Sequence, residues 1–230
     1  RISHFSFRFA TIVSVSTDRL NISEIFLSLQ GEASRAGQPC VMVRLAGCNL
    51  RCAWCDSEYA WTGGESMSLE EILAKVVELG CSRVEVTGGE PLTQPASLEL
   101  LRQLCEAGYE TLLETNGSVD ISLVDPRVVR IVDFKCPSSG QDDQNLWANV
   151  DGLRREDEIK FVIADRTDYE YAVSAIRRFD LLNKCPVLFS PIFGRLHPSE
   201  LAGWILEDKL DVRLSLQLHK IIWPECERGV

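Results

Sequence analysis

From Ile22 onward, short runs of β-branched and other apolar residues alternate with stretches in which apolar residues recur every three or four positions. The short runs predict buried strands, and the periodic stretches predict amphipathic helices. Strands that alternate with helices are typical of βαβ units in a parallel sheet. About seven strands belong to this series, too few for a closed eight-stranded barrel, so we predict an α/β fold, either a partial (β/α) barrel or an open sheet. A strand at 22–29 precedes this series, and the strands of the series are 41–46, 83–86, 110–113, 128–134, 159–164, 186–189 and 212–216.

The helix boundaries carry their own signals. Ser68 and Glu71 have the spacing of a capping box, which predicts a helix that begins there and ends at Gly80. Thr167 and Glu170 have the same spacing and predict the start of another helix. The predicted helices are 68–79, about 96–107, 167 to about 183, and 197 to about 208.

Polar or glycine-rich segments follow several of the predicted strands. In a parallel sheet these strand ends lie on one side, which is where ligands bind. A cysteine-rich loop at 48–55 also follows a strand, so we expect it to open onto the same side. The other segments are 87–91, 114–117, 135–140, 190–191 and 217–220.

The cysteine-rich loop contains Cys48, Cys52 and Cys55 in a C-x3-C-x2-C spacing. A structural zinc site normally has four protein ligands, whereas three thiolates can hold a [4Fe–4S] cluster and leave one iron open to a small molecule. The spacing favours such a cluster. Two alternatives stay open: a zinc site completed by His219 or Cys40, and cysteines without metal.

Composition narrows the class of protein. A formal net charge of −10 argues against broad nucleic-acid binding. The nine cysteines are odd in number and only one trio is closely spaced, which argues against a disulfide framework and for a reducing, cytoplasmic setting. No apolar run reaches the ~18 residues of a membrane span. We expect residues 1–19 to be a poorly ordered extension or an added strand, and residues 20–230 to form a single domain.

A C-x3-C-x-aromatic-C loop after a strand, followed by Gly88-Gly89-Glu90-Pro91, resembles the radical S-adenosylmethionine (radical SAM) superfamily. The resemblance implies that the open iron binds the methionine part of SAM while the glycine turn approaches it closely. Further stretches resemble one family within it, the 7-carboxy-7-deazaguanine synthases. They are SLQGE (28–32), VRLAGC (43–48), CDS (55–57), ETNG (114–117), DFKCPSSG (133–140) and LQLHKIIW (216–223).

This resemblance implies a lyase of queuosine biosynthesis that converts 6-carboxy-5,6,7,8-tetrahydropterin to 7-carboxy-7-deazaguanine with loss of ammonia. The implied cofactors are a [4Fe–4S] cluster, SAM and Mg²⁺. The implied partners are the pterin substrate, an external one-electron donor of flavodoxin type and a second copy of the chain in a homodimer, with no nucleic acid and no membrane.

The resemblance also implies roles for individual residues. Cys48, Cys52 and Cys55 would hold the cluster. Ser57 stands where the family usually has a threonine that binds Mg²⁺, and it retains the hydroxyl oxygen. Arg44 would pair with the substrate carboxylate. The other implied substrate contacts are Leu29, Gln30, Gly31 and Thr87, and the implied SAM contacts are Gly89, Glu114, Asn116, Lys135, Pro137, Ser138 and Ser139.

One residue departs from the pattern of the family, and two other classes of protein stay open. Ser190 replaces a glutamine found in many relatives, so its contact with SAM is in doubt. A radical SAM activase acting on a glycine of a partner protein would share the cysteine spacing, although the SLQGE and LQLHK stretches disfavour it. A zinc-binding interaction module is the non-enzymatic alternative.

Overall fold

Alternating residues of each central strand face opposite sides of the sheet, as the strand geometry requires. On the strand at Arg83–Gly88, Val84 and Val86 join the main hydrophobic core, whereas Glu85 and Thr87 face the other way. The helices supply the rest of this core, for example through Ile72. The helices therefore cover one face of the sheet, and the opposite face carries polar side chains.

A computed structural model describes residues 18–226 and 228–230. In this part of the chain the strands form one sheet in the order β3-β1-β2-β4-β5-β6-β7-β8-β9. From β2 to β9 all neighbours are parallel, and β1 runs antiparallel to both β2 and β3. The strands are β1 (Arg19–Leu29), β2 (Pro39–Leu45), β3 (Glu65–Ser68), β4 (Arg83–Gly88), β5 (Glu110–Thr115), β6 (Val129–Phe134), β7 (Glu158–Ile163), β8 (Val187–Pro191) and β9 (Arg213–Leu214).

The α/β class and the parallel sheet are confirmed, and the sheet is not closed into a full barrel. Four helices follow their strands in the predicted order: α1 (Leu69–Leu79), α2 (Ala96–Glu106), α3 (Arg166–Phe179) and α4 (Pro198–Glu207). The short helix α5 (Leu218–Ile222) was not predicted. The capping box of Ser68 and Glu71 forms as predicted, and Gly80 ends α1 in the left-handed conformation.

The predicted capping box at Thr167 is wrong. The side chain of Asp165 accepts hydrogen bonds from the backbone N–H groups of Thr167 and Asp168, so α3 begins two residues earlier. The helix also ends at Phe179, because Asp180 adopts the left-handed conformation. Strand β3 was not predicted. Its four residues pair with the start of β1, and so short a strand leaves little periodicity in the sequence.

The prediction for the N-terminal extension lies, for residues 1–17, outside the described residues. The described chain begins with Asp18, whose carbonyl accepts a hydrogen bond from the backbone of Leu69, and Arg19 pairs with Ser68 in the sheet. No helix among residues 18–226 and 228–230 is long and apolar enough to cross a membrane.

Candidate functional site

A cavity of about 390 Å³ opens at the polar face of the sheet. Neighbouring strands contribute polar side chains to its wall, among them Arg44 from β2, Thr87 from β4, Glu114 from β5, Asp133 from β6 and Lys160 from β7. In the parallel register Arg44 lies opposite Thr87 and Asp133 opposite Lys160, whereas Glu114 lies opposite Ile131. The row of polar groups therefore steps by two residues between β5 and β6 as it crosses the inner face of the sheet.

Lys160 is the cation that several carboxylates of the cavity wall share. Its ammonium group donates to Glu32 Oε2 at 2.9 Å and to Glu114 Oε1, and it lies 3.8 Å from Asp133 Oδ2. Burial alone would lower the pKa of Lys160, but the surrounding carboxylates raise it well above its usual value. Burial alone would likewise raise the pKa of Glu114, and Lys160 instead holds it below its usual value. Lys160 and Glu114 therefore face each other in the cavity wall as an ion pair.

The cysteine loop forms another wall of the same cavity. Cys48, Cys52 and Cys55 all border it. The backbone N–H of Leu50 lies 3.4 Å from Cys48 Sγ and the side-chain amide of Asn116 lies 3.8 Å from it, so donors already face the sulfur. Donors of this kind stabilise the negative charge of a cluster thiolate.

The three thiols fit an iron–sulfur cluster by chemistry and placement. Burial raises the pKa of Cys52 to about 11 and also raises that of Cys55, so both are protonated near neutral pH until a metal displaces the protons. In the described part of the chain, no three His, Cys, Asp or Glu side chains yet converge on one metal-binding point. The cysteine side chains therefore have to turn toward one another when the cluster binds.

The glycine-rich turn after β4 packs directly on the start of the cysteine loop. A Cβ on Gly89 would lie 2.0 Å from the carbonyl oxygen of Gly47, and Gly88 has a φ of 134°. Only glycine satisfies both the close approach and the positive φ. The side chain of Glu90 points away from the cavity, where it accepts hydrogen bonds from the Asn116 backbone at 2.7 Å and the Thr115 hydroxyl at 2.9 Å. Glu90 thus ties the glycine turn to the loop after β5.

We predict that Gly89→Ala destabilises the protein by ~2 kcal/mol or more and weakens SAM binding, because the added methyl group meets backbone rather than a mobile side chain. Thermal unfolding and SAM titration of the reconstituted enzyme measure the two effects. Gly152→Ala is the matched control, since a Cβ there meets nothing within 4 Å. Wild-type stability and SAM affinity in Gly89→Ala would contradict this account of the turn.

The loop after β1 forms the third wall. Gln30 is buried, and Gly31 packs so closely on His219 that a Cβ would lie 2.1 Å from the imidazole Nδ1. The carbonyl of Gly31 accepts a hydrogen bond from the backbone of Leu218 at 2.8 Å. Burial lowers the pKa of His219, which keeps the ring neutral near neutral pH. The C-terminal segment therefore holds the β1 loop in place.

The same C-terminal segment also reaches the cysteine loop. The amide of Gln217 donates to Glu32 Oε1 at 2.9 Å and to Asp56 Oδ2 at 3.0 Å, and Lys220 Nζ donates to Asp56 at 2.7 Å. These contacts hold the pKa of Asp56 below its usual range, although burial opposes the shift. Ser57 follows directly and its hydroxyl donates to Asp56 Oδ1 at 3.2 Å.

Arg44 lies at the border between the cavity and the outer strand β1. Its Nε donates to Glu24 Oε1 at 2.8 Å, and the hydroxyl of Tyr59 donates to the same oxygen at 2.8 Å. The Arg44 side chain is 15% exposed. Because Glu24 engages Nε, the terminal nitrogens of the guanidinium remain to bind an anion in the cavity.

The segment at 135–139 divides into two parts. Lys135 borders the cavity and its Nζ donates to Asp133 Oδ2 at 2.8 Å. Pro137, Ser138 and Ser139 form a 3-10 turn that does not line the cavity. The Ser138 hydroxyl accepts a hydrogen bond from Trp54 Nε1 at 2.9 Å. This turn therefore supports the cysteine loop from behind.

Most of the residues predicted from sequence are brought together by the fold. Those that line the cavity are Leu29, Gln30, Gly31, Arg44, Cys48, Cys52, Cys55, Ser57, Thr87, Gly89, Glu114, Asn116 and Lys135. Three charged residues on the central strands line the cavity without a predicted role: Glu85, Asp133 and Lys160. Each is a charged residue flanked by buried apolar residues within a strand, and this break in the apolar run was the available signal.

Comparisons with known proteins agree with this geometry. Residues 42–133 match the Radical SAM superfamily. The chain is 48% identical to the 7-carboxy-7-deazaguanine synthase of Koribacter versatilis over 92% of its own length and 100% of the relative. It is also 48% identical to the synthase of Chlorobaculum tepidum, over 92% and 97% of the two chains. The crystal structure of QueE from Escherichia coli superposes with a TM-score of 0.72 at 25% identity, covering 87% of this chain and 95% of that one.

These similarities extend over nearly the whole chain and are not confined to the cluster motif. They favour the synthase over the glycyl-radical activase and the zinc-binding module. The chain belongs to the 7-carboxy-7-deazaguanine synthase family of the radical SAM superfamily.

Proposed function

We propose that this protein converts 6-carboxy-5,6,7,8-tetrahydropterin to 7-carboxy-7-deazaguanine with loss of ammonia, in 7-deazapurine and queuosine biosynthesis. One observation carries the proposal: the three cluster cysteines, the glycine turn and the polar row on the sheet all border one cavity. A cofactor held by the first two would meet a substrate held by the third. Two relatives at 48% identity, of which the chain covers 100% and 97%, are named 7-carboxy-7-deazaguanine synthase.

Membership of the superfamily gives the protein a [4Fe–4S] cluster and SAM as cofactors. When bound and reduced, they supply a 5′-deoxyadenosyl radical that abstracts the C6 hydrogen of the pterin. Cys48, Cys52 and Cys55 would hold the cluster. Gly89 would let its backbone approach SAM, and Asn116 and Lys135, which line the same cavity, would contact it.

The polar row would bind the substrate. The terminal nitrogens of Arg44, which no described residue engages, suit the substrate carboxylate as a bidentate partner. Thr87, whose hydroxyl donates to Glu114 Oε2 at 3.2 Å, and Gln30 border the same space. The pterin ring carries several N–H groups and a carbonyl, so a wall with both donors and acceptors fits it.

We propose Ser57 as a ligand of Mg²⁺, which would orient substrate oxygens. Ser57→Ala should lower the Mg²⁺-stimulated rate about 10-fold and leave the Mg²⁺-free rate unchanged. The variant loses the metal contact and one hydrogen bond to Asp56, but Asp56 keeps its contacts with Gln217 and Lys220. Ser57→Thr is the matched control, since it keeps a hydroxyl at the same position. Initial rates over a Mg²⁺ titration measure the effect, and equal Mg²⁺ dependence in wild type and Ser57→Ala would contradict it.

We also propose that an external donor of flavodoxin type supplies the electron and that the enzyme is a cytoplasmic homodimer that binds no nucleic acid. The exposed side chains of Ile221 and Ile222 on α5 support a contact between copies. Sedimentation of wild type and Ile221→Ser/Ile222→Ser tests the dimer. A monomeric wild type would contradict it.

Anaerobic product analysis tests the proposed reaction. The reconstituted enzyme, given the tetrahydropterin, SAM, Mg²⁺ and a reductant, should release the carboxylated deazaguanine and ammonia in equal amounts. No product from protein with a full cluster content would contradict the proposal.

A further inference from the structure

Glu85 is a fully buried acidic residue of the cavity wall with few polar contacts. It stands in the middle of β4 with no exposed surface, on the face opposite the hydrophobic core. Among the residues that the structure describes, no Lys, Arg or His forms a salt bridge with it. Its Oε1 has no hydrogen-bond partner there either. An ionised carboxylate without a partner is costly to bury, so this environment suits the uncharged acid.

The other carboxyl oxygen of Glu85 has one partner. The side-chain Nε2 of Gln30 donates to Glu85 Oε2. The orientation of this amide is fixed from its other end, because Gln30 Oε1 accepts the backbone N–H of Glu32 at 3.0 Å. With both contacts made, Gln30 keeps one N–H group free. Glu85 and Glu32 thus set the direction in which Gln30 presents this donor.

Electrostatics agrees with the geometry. Burial and the neighbouring Glu114 raise the pKa of Glu85 well above its usual value, and Lys160 offsets this only in part. Lys160 is engaged by Glu32 and Glu114 instead. In the neutral acid the proton would sit on Oε1, since Oε2 accepts from Gln30.

We propose that Glu85 is a positioning residue of the substrate site: a fully buried, uncharged carboxylic acid that holds the amide of Gln30 so that the second N–H of that amide donates a hydrogen bond to the bound heterocycle. The inference rests on the proposed function, because it assigns the ring of a pterin as the ligand. A pterin has a carbonyl oxygen and ring nitrogens that can accept such hydrogen bonds. The pair of Glu85 and Gln30 would then select for a ring with acceptors at this edge.

Two variants separate the uncharged role from a charged one. Glu85→Gln keeps an acceptor for Gln30 and a donor at the Oε1 position, but it cannot ionise. Glu85→Leu fills the space and makes neither hydrogen bond. With 6-carboxypterin as a non-reactive probe on the anaerobic, SAM-loaded enzyme, we expect Glu85→Gln to bind within about threefold of wild type and Glu85→Leu to bind 10- to 100-fold more weakly. SAM affinity measured on each variant reports whether the fold is intact.

A double-mutant cycle tests whether Glu85 acts through Gln30. Gln30→Ala should weaken binding of 6-carboxypterin by a similar factor, and adding Glu85→Leu to Gln30→Ala should lower the affinity little further. Additive losses would overturn the proposal, as would equal weakening by Glu85→Gln and Glu85→Leu, or wild-type affinity in Glu85→Leu.

An infrared difference spectrum between wild type and Glu85→Gln, taken without any pterin, tests the uncharged state by itself. The carbonyl stretch of a protonated carboxylic acid should be present in wild type and absent in the variant. Its absence from wild type would overturn the proposal. Its presence in a wild type that fails to bind 6-carboxypterin would contradict the proposed function and the assigned ligand, while leaving the neutral Glu85 standing.

Discussion

Cys52→Ala should abolish both the cluster and product formation. Cys52 is buried within the loop that borders the cavity, and with two thiolates left the loop cannot complete three-point attachment of a [4Fe–4S] cluster. We expect iron and sulfide to fall to background after anaerobic reconstitution and turnover to fall by at least about 10³-fold. Iron analysis, the visible absorbance of the cluster and product assays measure these effects.

Cys105→Ala is the matched control for this loss. Cys105 is a partly buried thiol on α2, away from the cavity, so its removal should leave iron content and turnover at wild-type levels. A Cys52→Ala variant that retains a full cluster would show that the loop at 48–55 does not hold it. Loss of the cluster in Cys105→Ala would point to the same conclusion.

Lys160→Met should have the second largest effect. Removing the buried ammonium leaves Glu32 and Glu114 as neighbouring, partly buried carboxylates without their shared cation. Breaking a buried charge pair costs ~3–5 kcal/mol of the free energy of unfolding. We expect a loss of this size at pH 7, together with a fall in kcat/KM of at least about 100-fold, because the wall that faces the substrate reorganises.

The pH dependence of Lys160→Met has a definite sign. In wild type the pKa of Glu114 lies below its usual value, so its ionised form contributes stability that is present at neutral pH and is lost as the pH falls through that pKa. Without Lys160, burial dominates and raises the pKa of Glu114. Protonation of Glu114 at acidic pH then removes the unpaired charge from the variant. The stability gap between wild type and variant should therefore shrink between pH 7 and pH 5.

Denaturant unfolding at several pH values measures this gap. Lys75→Met, on the exposed side of α1, is the control and should change stability by less than about 0.5 kcal/mol at each pH. A gap for Lys160→Met that is constant or widens toward acidic pH would contradict the assigned charge cluster.

Local signals in the sequence predicted local structure well where nothing competed with them. Ser68 and Glu71 form their capping box because each finds the other within one helical turn. Thr167 fails as a cap because Asp165, a short acid two residues earlier, accepts from the N–H groups of Thr167 and Asp168 and so places Thr167 inside the first turn. Motif spacing placed the cluster loop and the glycine turn, since both follow parallel strands whose ends share one side of the sheet.

The charge cluster could not be predicted in the same way. That Lys160 pairs with Glu32 and Glu114 depends on strand order and register, which bring together residues 128 and 46 positions apart in the chain. The Glu85–Gln30 pair depends on the same register. A motif likewise does not predict which partners a side chain has in the fold. The motif around Ser138 predicts a contact with SAM, and in the structure its hydroxyl accepts a hydrogen bond from Trp54 and donates one to Asp168.

Transfer of the C6 hydrogen tests most directly the claim that cluster, cofactor and substrate meet in one cavity. A tetrahydropterin labelled with deuterium at C6 would be turned over anaerobically, and the SAM recovered afterwards would be analysed by mass spectrometry. The shared cavity predicts deuterium on the 5′ carbon of the recovered SAM or of 5′-deoxyadenosine. Product formed with no deuterium in SAM or in 5′-deoxyadenosine would contradict it.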